Sequence, residues 1–362
     1  MSDNYILMHG NKEVAYVSNK VQLQEIYDEN ELPLCCQGQA DRIDWSFKTW
    51  LKHRMIPNNR MMQERISRNI HSDFERLMYQ SMAITMTDTF WLKPEGSSLT
   101  WSDVNFHDNG FGNLVSNALF CDFPMKSAGL LPHPTFTTDG VLFKTWIQDN
   151  GKPYLLKQDK TKEQLIGEIF ASNVADMLDI PHVPYTVIRL DRRGYKDEYC
   201  VACGCIVTDS HTDMIHASEY QNRLHCTRLE LYDFLYRMDA SIDKMIAFDV
   251  LTGQCDRHLN NFAFINGKLA PLYDNGRCLS YMTDTKPFVT DKKEQLSLIH
   301  EIPFDLPQKE WLSEQYKAVC EEFKEKPKES ALNCINESYI LVEDVFEDIN
   351  KKQELLGERD YE

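Results

Sequence analysis

Apolar and polar residues alternate from Tyr5 to Met8 and again from Glu13 to Val17 around the turn HGNK, so the chain opens on a predicted short hairpin. A helical patch is expected from Val21 to Tyr27. Helical spacing recurs over Trp45 to Leu51 and Phe74 to Ile84, with Ile56-Pro57 interrupting the first region. The stretch from Trp91-Leu92-Lys93-Pro94 through Trp101 to Asn109-Gly110 is aromatic, polar and rich in turn residues, which predicts irregular packing.

From about Pro132 the texture becomes strand-rich, with strands predicted over Val141 to Ile147, Tyr154 to Lys157, Tyr185 to Leu190 and Tyr199 to Ile206. One amphipathic helix interrupts them, Lys162 to Leu178, with Leu165, Ile166, Ile169, Phe170, Val174 and Leu178 on its core face and Ile180-Pro181 at its end. After Arg228 the pattern is helical over Leu229 to Tyr236 and Ile242 to Leu251, then breaks at Thr252-Gly253 into a polar loop and two short strands. Ile335, Tyr339, Val342, Phe346 and Ile349 predict a closing helix, and KEKPKES at Lys324 to Ser330 a solvated helix junction.

With 362 residues, 42% of them hydrophobic, the chain can bury a core in two or three structural units. Lys and Arg number 39 against 56 Asp and Glu, and the resulting charge of −17 opposes non-specific adhesion to nucleic acid or anionic lipid. The same field repels any polyphosphate ligand, so a site for one must bring local positive charge from a metal or a lysine. No run approaches the roughly 18 to 20 apolar residues of a membrane span, and MSDNYILMHGNKE is no signal peptide, so a soluble cytoplasmic chain is expected. The eleven cysteines lack the regular spacing of a secreted scaffold and are expected to be reduced. Cys200, Cys203 and Cys205 invite a zinc reading with His211 or His216, but Cys203 and Cys205 lie on one strand face and no second pair completes a site; buried free thiols are the simpler expectation.

Candidate chemistry concentrates in Thr252-Gly-Gln-Cys-Asp256-Arg-His258-Leu-Asn-Asn261-Phe-Ala-Phe264, a polar loop running into an apolar strand. Phosphoryl transfer needs a carboxylate to take or orient the proton of the attacking hydroxyl, and a nearby amide oxygen on a magnesium ion that bridges phosphates. Protein kinases place these groups five residues apart, as Asp256 and Asn261 are. A second metal carboxylate is expected at the end of the following hairpin, where Asp274 stands in Leu-Tyr273-Asp274-Asn-Gly276. Asn266-Gly267 between two apolar runs is a strong signal for that hairpin.

CDRHLNNF followed by LAPLYDNG resembles the HipA-like serine/threonine kinase family, as do HPTFTTDGVLFKTW, GKPYLLKQ and GEIFASNVADMLDIPHVPY upstream, with particular similarity to the smaller CtkA-type members. The resemblance covers roughly Pro132 to Gly276. It implies an α+β, bilobal protein-kinase-like fold: a helical N-terminal extension (1–130), an N-lobe with a small mixed β-sheet (131–208) and a mainly helical C-lobe (209–362). It implies ATP and Mg2+ as cofactors, Asp256 as catalytic base, His258 as a loop-stabilising histidine, and Asn261 and Asp274 as metal ligands. Lys157 would hold the α and β phosphates with Glu168 as its ion-pair partner, although Glu163 and Asp176 share that helix. The loop Thr135 to Gly140, including Asp139, would cover the phosphates, and Thr137 or Thr138 would be the matching autophosphorylation sites. Backbone around Ile206 and Thr208 would receive the adenine. A protein Ser/Thr acceptor and an antitoxin-like partner follow from the family alone.

Each feature has a simpler reading beside it. Asp256, Asn260 and Asn261 are ordinary turn residues, Lys157 suits a surface lysine with a buried stem, and PTFTT suits a connecting turn. The departure from Gly-x-Gly-x-x-Gly leaves only Gly140 as unrestricted backbone in the phosphate loop. A phosphoinositide-type lipid kinase and a nucleotide-binding pseudokinase acting as an interaction module are the alternatives.

Overall fold

The computed structural model describes residues 4–18, 21–61, 73–120, 132–192, 195–279 and 292–359. They are distributed over two compact units, Met1–Gln158 with Ile188–His225, and Asp159–Val187 with Cys226–Glu362. Among the described residues no helix is long and apolar enough to cross a membrane.

In the first unit, β1 (Tyr5–His9) and β2 (Lys12–Val17) form the predicted hairpin, with Gly10 at φ 55° supplying the left-handed turn residue. β3 (Leu23–Ile26) pairs antiparallel with β2, and β4 (Phe90–Pro94) antiparallel with β1, in the order β3-β2-β1-β4. Two expectations are corrected here. Residues 23–26 form a strand instead of a helix, because so short a segment cannot nucleate a helix alone while the edge of β2 satisfies its backbone. The stretch after Trp91 is regular rather than irregular: it is β4, followed by the short helices Trp101–Val104, which Thr100 and Asp103 cap reciprocally, and Phe106–Asn109. The expected helical extension therefore contains a four-stranded sheet.

β5 (Phe143–Asp149), β6 (Lys152–Gln158), β7 (Tyr185–Arg192) and β8 (Tyr195–Gly204) make the second sheet in the order β5-β6-β8-β7. The β5–β6 register sets Lys144 opposite Lys157. One core cluster combines Ile56, Phe74, Leu77, Val115 and Leu119 with Phe136, Phe143, Leu156 and Cys200, so helices of the first 120 residues pack on this sheet. β9 (Met214–His216) follows near the end of the unit.

The second unit is mainly helical: Glu163–Met177, Arg228–Met238, Ile242–Leu251, Lys292–Ser297, Lys309–Glu322 and Glu329–Arg359. Its one described hairpin joins β10 (Ala263–Ile265) to β11 (Lys268–Leu269) through Asn266 and Gly267, both left-handed at φ 51° and 74°, as the sequence predicts. Leu272 is held by backbone bonds to Pro181 (2.8 Å) and Val183 (2.9 Å), which ties the chain after the hairpin to the segment after helix Glu163–Met177.

Candidate active site

Helix Ile242–Leu251 stops where Gly253 adopts φ 63° and the Thr252 hydroxyl turns back to Phe248 O (2.8 Å), and the loop carrying Asp256 begins there. The Gln254 side chain bridges two parts of the candidate site. Its Oε1 accepts the Asp256 N–H (2.9 Å) and its Nε2 donates to Asp274 O (3.4 Å). Asn261 donates Nδ2 to Asp256 O (2.7 Å), which leaves Oδ1 as the acceptor of its side chain. Asp274, eighteen positions after Asp256, is therefore a neighbour of Asp256 and Asn261 in the second unit.

Arg257, only 1% exposed, assembles the region. Its guanidinium makes a two-nitrogen contact with Asp249 (2.8–3.2 Å) and donates to Asn261 O (2.8 Å), Tyr273 O (2.9 Å) and Asn275 Oδ1. Burial alone would lower its pKa, but the Asp249 carboxylate outweighs burial and holds it above the ordinary value. One permanent cation thus fixes the loop that bears Asp256 against the loop that bears Asp274.

The Asp256 carboxylate keeps one oxygen, Oδ1, buried and without a hydrogen-bond partner, with His258 Nε2 3.9 Å away. His258 Nδ1 accepts the Asn260 N–H (3.2 Å), so the imidazole spans the loop as an anchor. Asp274 sits at φ 55°, an unusual conformation for an aspartate, and its N–H donates to the Tyr185 hydroxyl (3.3 Å). Fully buried Glu168 accepts the Asn275 N–H (2.8 Å). Beside it, Gly167 lies so close to Gly276 that a Cβ would collide with the Gly276 carbonyl. Helix Glu163–Met177 thus rests directly on the backbone that follows Asp274.

In the first unit, Lys157 (3% exposed) and Lys144 (7% exposed) stand side by side across β6 and β5. Gly140, at φ 102°, passes over Lys144 so closely that a Cβ there would meet its Nζ. Pro134–Thr137 forms a single 3-10 turn, capped where His133 Nδ1 accepts the Thr135 N–H (3.2 Å). Burial pushes His133 down to about 3, which keeps it neutral and able to accept. The threonine hydroxyls point inward. Thr137 donates to Ile84 O, and Thr138 donates to Pro134 O (2.6 Å) while accepting from Trp146 Nε1 (2.9 Å). Asp139 pairs with His53 Nδ1 (2.7 Å). β8 ends at Gly204, earlier than the predicted Ile206, so Ile206 and Thr208 lie in irregular chain beyond it.

The second unit therefore gathers Asp256, His258, Asn261, Asp274 and Glu168, and the first gathers Lys157, Thr137, Thr138, Asp139 and Gly140 about the β5–β6 pair. Sequence reasoning missed Gln254, Arg257, Asp249 and Lys144. Lys144 was legible: the turn at Asn150-Gly151 fixes the hairpin register, and the register sets Lys144 across from Lys157. Among the described residues no three His, Cys, Asp or Glu side chains gather into a metal cage. An amide and a carboxylate fit magnesium nonetheless, since that ion takes few protein oxygens and shares itself with phosphates.

No protein-family model matches the sequence, and no curated protein matches it. Among solved structures, HipA of the Shewanella oneidensis MR-1 toxin–antitoxin system, determined with HipB and operator DNA, is similar over 95% of this chain and 97% of that chain, with 12% identity and a TM-score of 0.51. The Helicobacter pylori proinflammatory kinase CtkA is similar over 58% of this chain and 92% of that chain, with 16% identity and a TM-score of 0.41.

Proposed function

We propose that this chain, an α+β protein with the HipA-like kinase fold, is an ATP- and Mg2+-dependent kinase that phosphorylates Ser or Thr hydroxyls of a protein. The observation that carries the reading is the unpartnered Asp256 oxygen in a loop that Gln254 and Arg257 hold against Asp274. A buried carboxylate oxygen without a donor is costly unless a ligand supplies one, and an acceptor hydroxyl does so.

In this mechanism Asp256 takes the proton of the attacking hydroxyl while His258 keeps the loop in place. The hydroxyl oxygen forms a bond to the γ-phosphorus, the bond to the ADP oxygen breaks, and ADP leaves with that electron pair. Asn261 and Asp274 would hold magnesium, which supplies charge neutralisation to the phosphates. Lys157, with Lys144 beside it, provides positive charge that offsets the field of an acidic chain. Glu168 positions the backbone after Asp274 through Asn275. This is a role beyond the expected partnership with Lys157.

Autophosphorylation at Thr137 or Thr138 requires the 3-10 turn to open, because both hydroxyls are engaged inside the unit. A phosphate added there could not return to those positions, and the loop would stay displaced, switching transfer off. An antitoxin-like protein partner belongs to the same reading, in line with HipB bound to the similar HipA.

Mass spectrometry after incubation with ATP, with and without Mg2+, tests this on the parent and Asp256→Asn. Phosphate should appear on protein only for the parent with Mg2+. Equal modification of both chains, or none on any protein while phosphoinositide is consumed, refutes the protein-kinase reading.

A further inference from the structure

The role of the first 110 residues is open in the reading above. One set of their contacts falls on the chain that leaves β8 at Gly204 and reaches β9 at Met214. Cys205 Sγ donates to Met86 O (3.4 Å), and the Trp101 indole N–H donates to Ser210 O (2.7 Å) in a buried contact. The Asp213 carboxylate accepts the Thr89 N–H (2.7 Å), the Thr89 hydroxyl (2.9 Å) and His9 Nε2 (2.7 Å), and Met214 N donates to Thr87 O (2.8 Å). Asp209 closes a local turn onto the N–H of His211 (2.8 Å) and the hydroxyl of Thr212 (2.9 Å). Among the described residues, the bonds that fix this segment from outside come from residues 9 to 101.

Those donors and acceptors are themselves held firmly. Trp101 is buried, its backbone N–H donates to Asn11 Oδ1 (2.7 Å), and its ring belongs to a core cluster with Met8, Ile84, Met86, Trp91 and Trp146. His9 is stacked on Phe90 with ring centroids 4.2 Å apart, and its second nitrogen meets Glu31 (2.6 Å).

We propose that Trp101 and Thr89 are positioning residues for nucleotide recognition: from the N-terminal region they set the backbone of Ile206 to Thr208, and with it the preference for adenine. The inference rests on the kinase reading, in which that backbone receives the base. Backbone recognition of a base depends on hydrogen-bond direction, which weakens steeply with misalignment. In the kinase reading the phosphates fall to residues outside this segment, Lys157 among them. Loosening the segment therefore harms the choice of base and leaves phosphate binding intact, so selectivity, and not affinity alone, is the quantity that moves.

Displacement of a fluorescent nucleotide by Mg·ATP and by Mg·GTP, on the full chain, measures it. The parent should prefer ATP. Trp101→Phe, which keeps an aromatic ring and removes the indole N–H, should lower the ATP-to-GTP affinity ratio roughly tenfold, the scale of one lost hydrogen bond. Thr89→Val, which removes the hydroxyl that donates to Asp213 (2.9 Å), should lower the ratio in the same direction and decides the matter if the tryptophan variant does not fold. An unchanged ratio, an equal loss for both nucleotides, or a parent without preference overturns the proposal while leaving the kinase reading standing. A parent that binds no nucleotide overturns both.

Discussion

At the scale of single residues, Arg257 shows why a motif can be legible while its support is not. The pattern Asp256-x-His258-x-x-Asn261 marks polar groups at kinase spacing, yet the residue between the first two unites the loops, through partners at Asp249, Tyr273 and Asn275 that only folding brings together. Arg257→Ala leaves Asp249 buried without its cation, so stability should fall by about 3–5 kcal/mol in urea unfolding. Arg257→Lys cannot reproduce the fork and should lose Mg·ATP turnover while retaining more of the stability. His9 supplies a pH prediction. Burial works against its protonation, but Asp213 and Glu31 hold it above the ordinary imidazole value. Asp213 lies below the ordinary carboxylate value, since His9 outweighs the effect of burial. The His9 contribution is complete below the ordinary imidazole pKa and fades as pH rises through the raised one; the Asp213 contribution is complete above the ordinary carboxylate pKa and fades as pH falls through the lowered one. The clamp is strongest between roughly pH 4 and 6.5. Thermal unfolding followed from about pH 6 to about pH 8.5 should show the parent losing ~1 kcal/mol more than His9→Gln.

At the scale of elements, local signals succeeded where a short stretch of chain decides its own conformation. Asn266-Gly267 dictates a hairpin turn, and the helix Glu163–Met177 follows from its apolar face. They failed where a partner decides. Leu23–Ile26 is a strand because β2 offers it an edge, and the residues after Trp91 are ordered by pairing with β1 across more than eighty positions of sequence. The contact between helix Glu163–Met177 and the Asp274 loop is of this second kind. A glycine inside a helix ordinarily invites replacement, since alanine gains about 1 kcal/mol in propensity. At Gly167 the added methyl must displace the Gly276 carbonyl, a backbone group that cannot rotate away. Gly167→Ala should therefore destabilise by about 1–3 kcal/mol in place of the usual gain. It should also raise the Mg2+ concentration needed for turnover, which a magnesium titration at saturating ATP would read directly.

At the scale of the whole molecule, neither compact unit is one continuous stretch: residues 188–225 belong with the first 158, and 159–187 with the last third of the chain. The resemblance implied boundaries near 130 and 208, and motifs along the chain carry no information on which segments share a core. Core sharing makes a stronger demand. Phe136, Phe143 and Leu156, near or within the second sheet, are buried by Ile56, Phe74, Leu77, Val115 and Leu119, and Trp146 is buried by Met8, Trp91 and Trp101. Removing residues 1–130 strips that cover from a sheet that also carries Lys144 and Lys157. Burying one large apolar side chain contributes roughly 1.5–3 kcal/mol, so exposing several exceeds the ~5–15 kcal/mol that holds a typical domain together. The fragment 131–362 should therefore give a far-UV signal of residual helix from its C-terminal part, no cooperative thermal transition for the sheet, and rapid proteolysis between residues 132 and 208. A fragment with a sharp transition and protease resistance equal to the parent would show that the sheet and its two lysines stand without the N-terminal region.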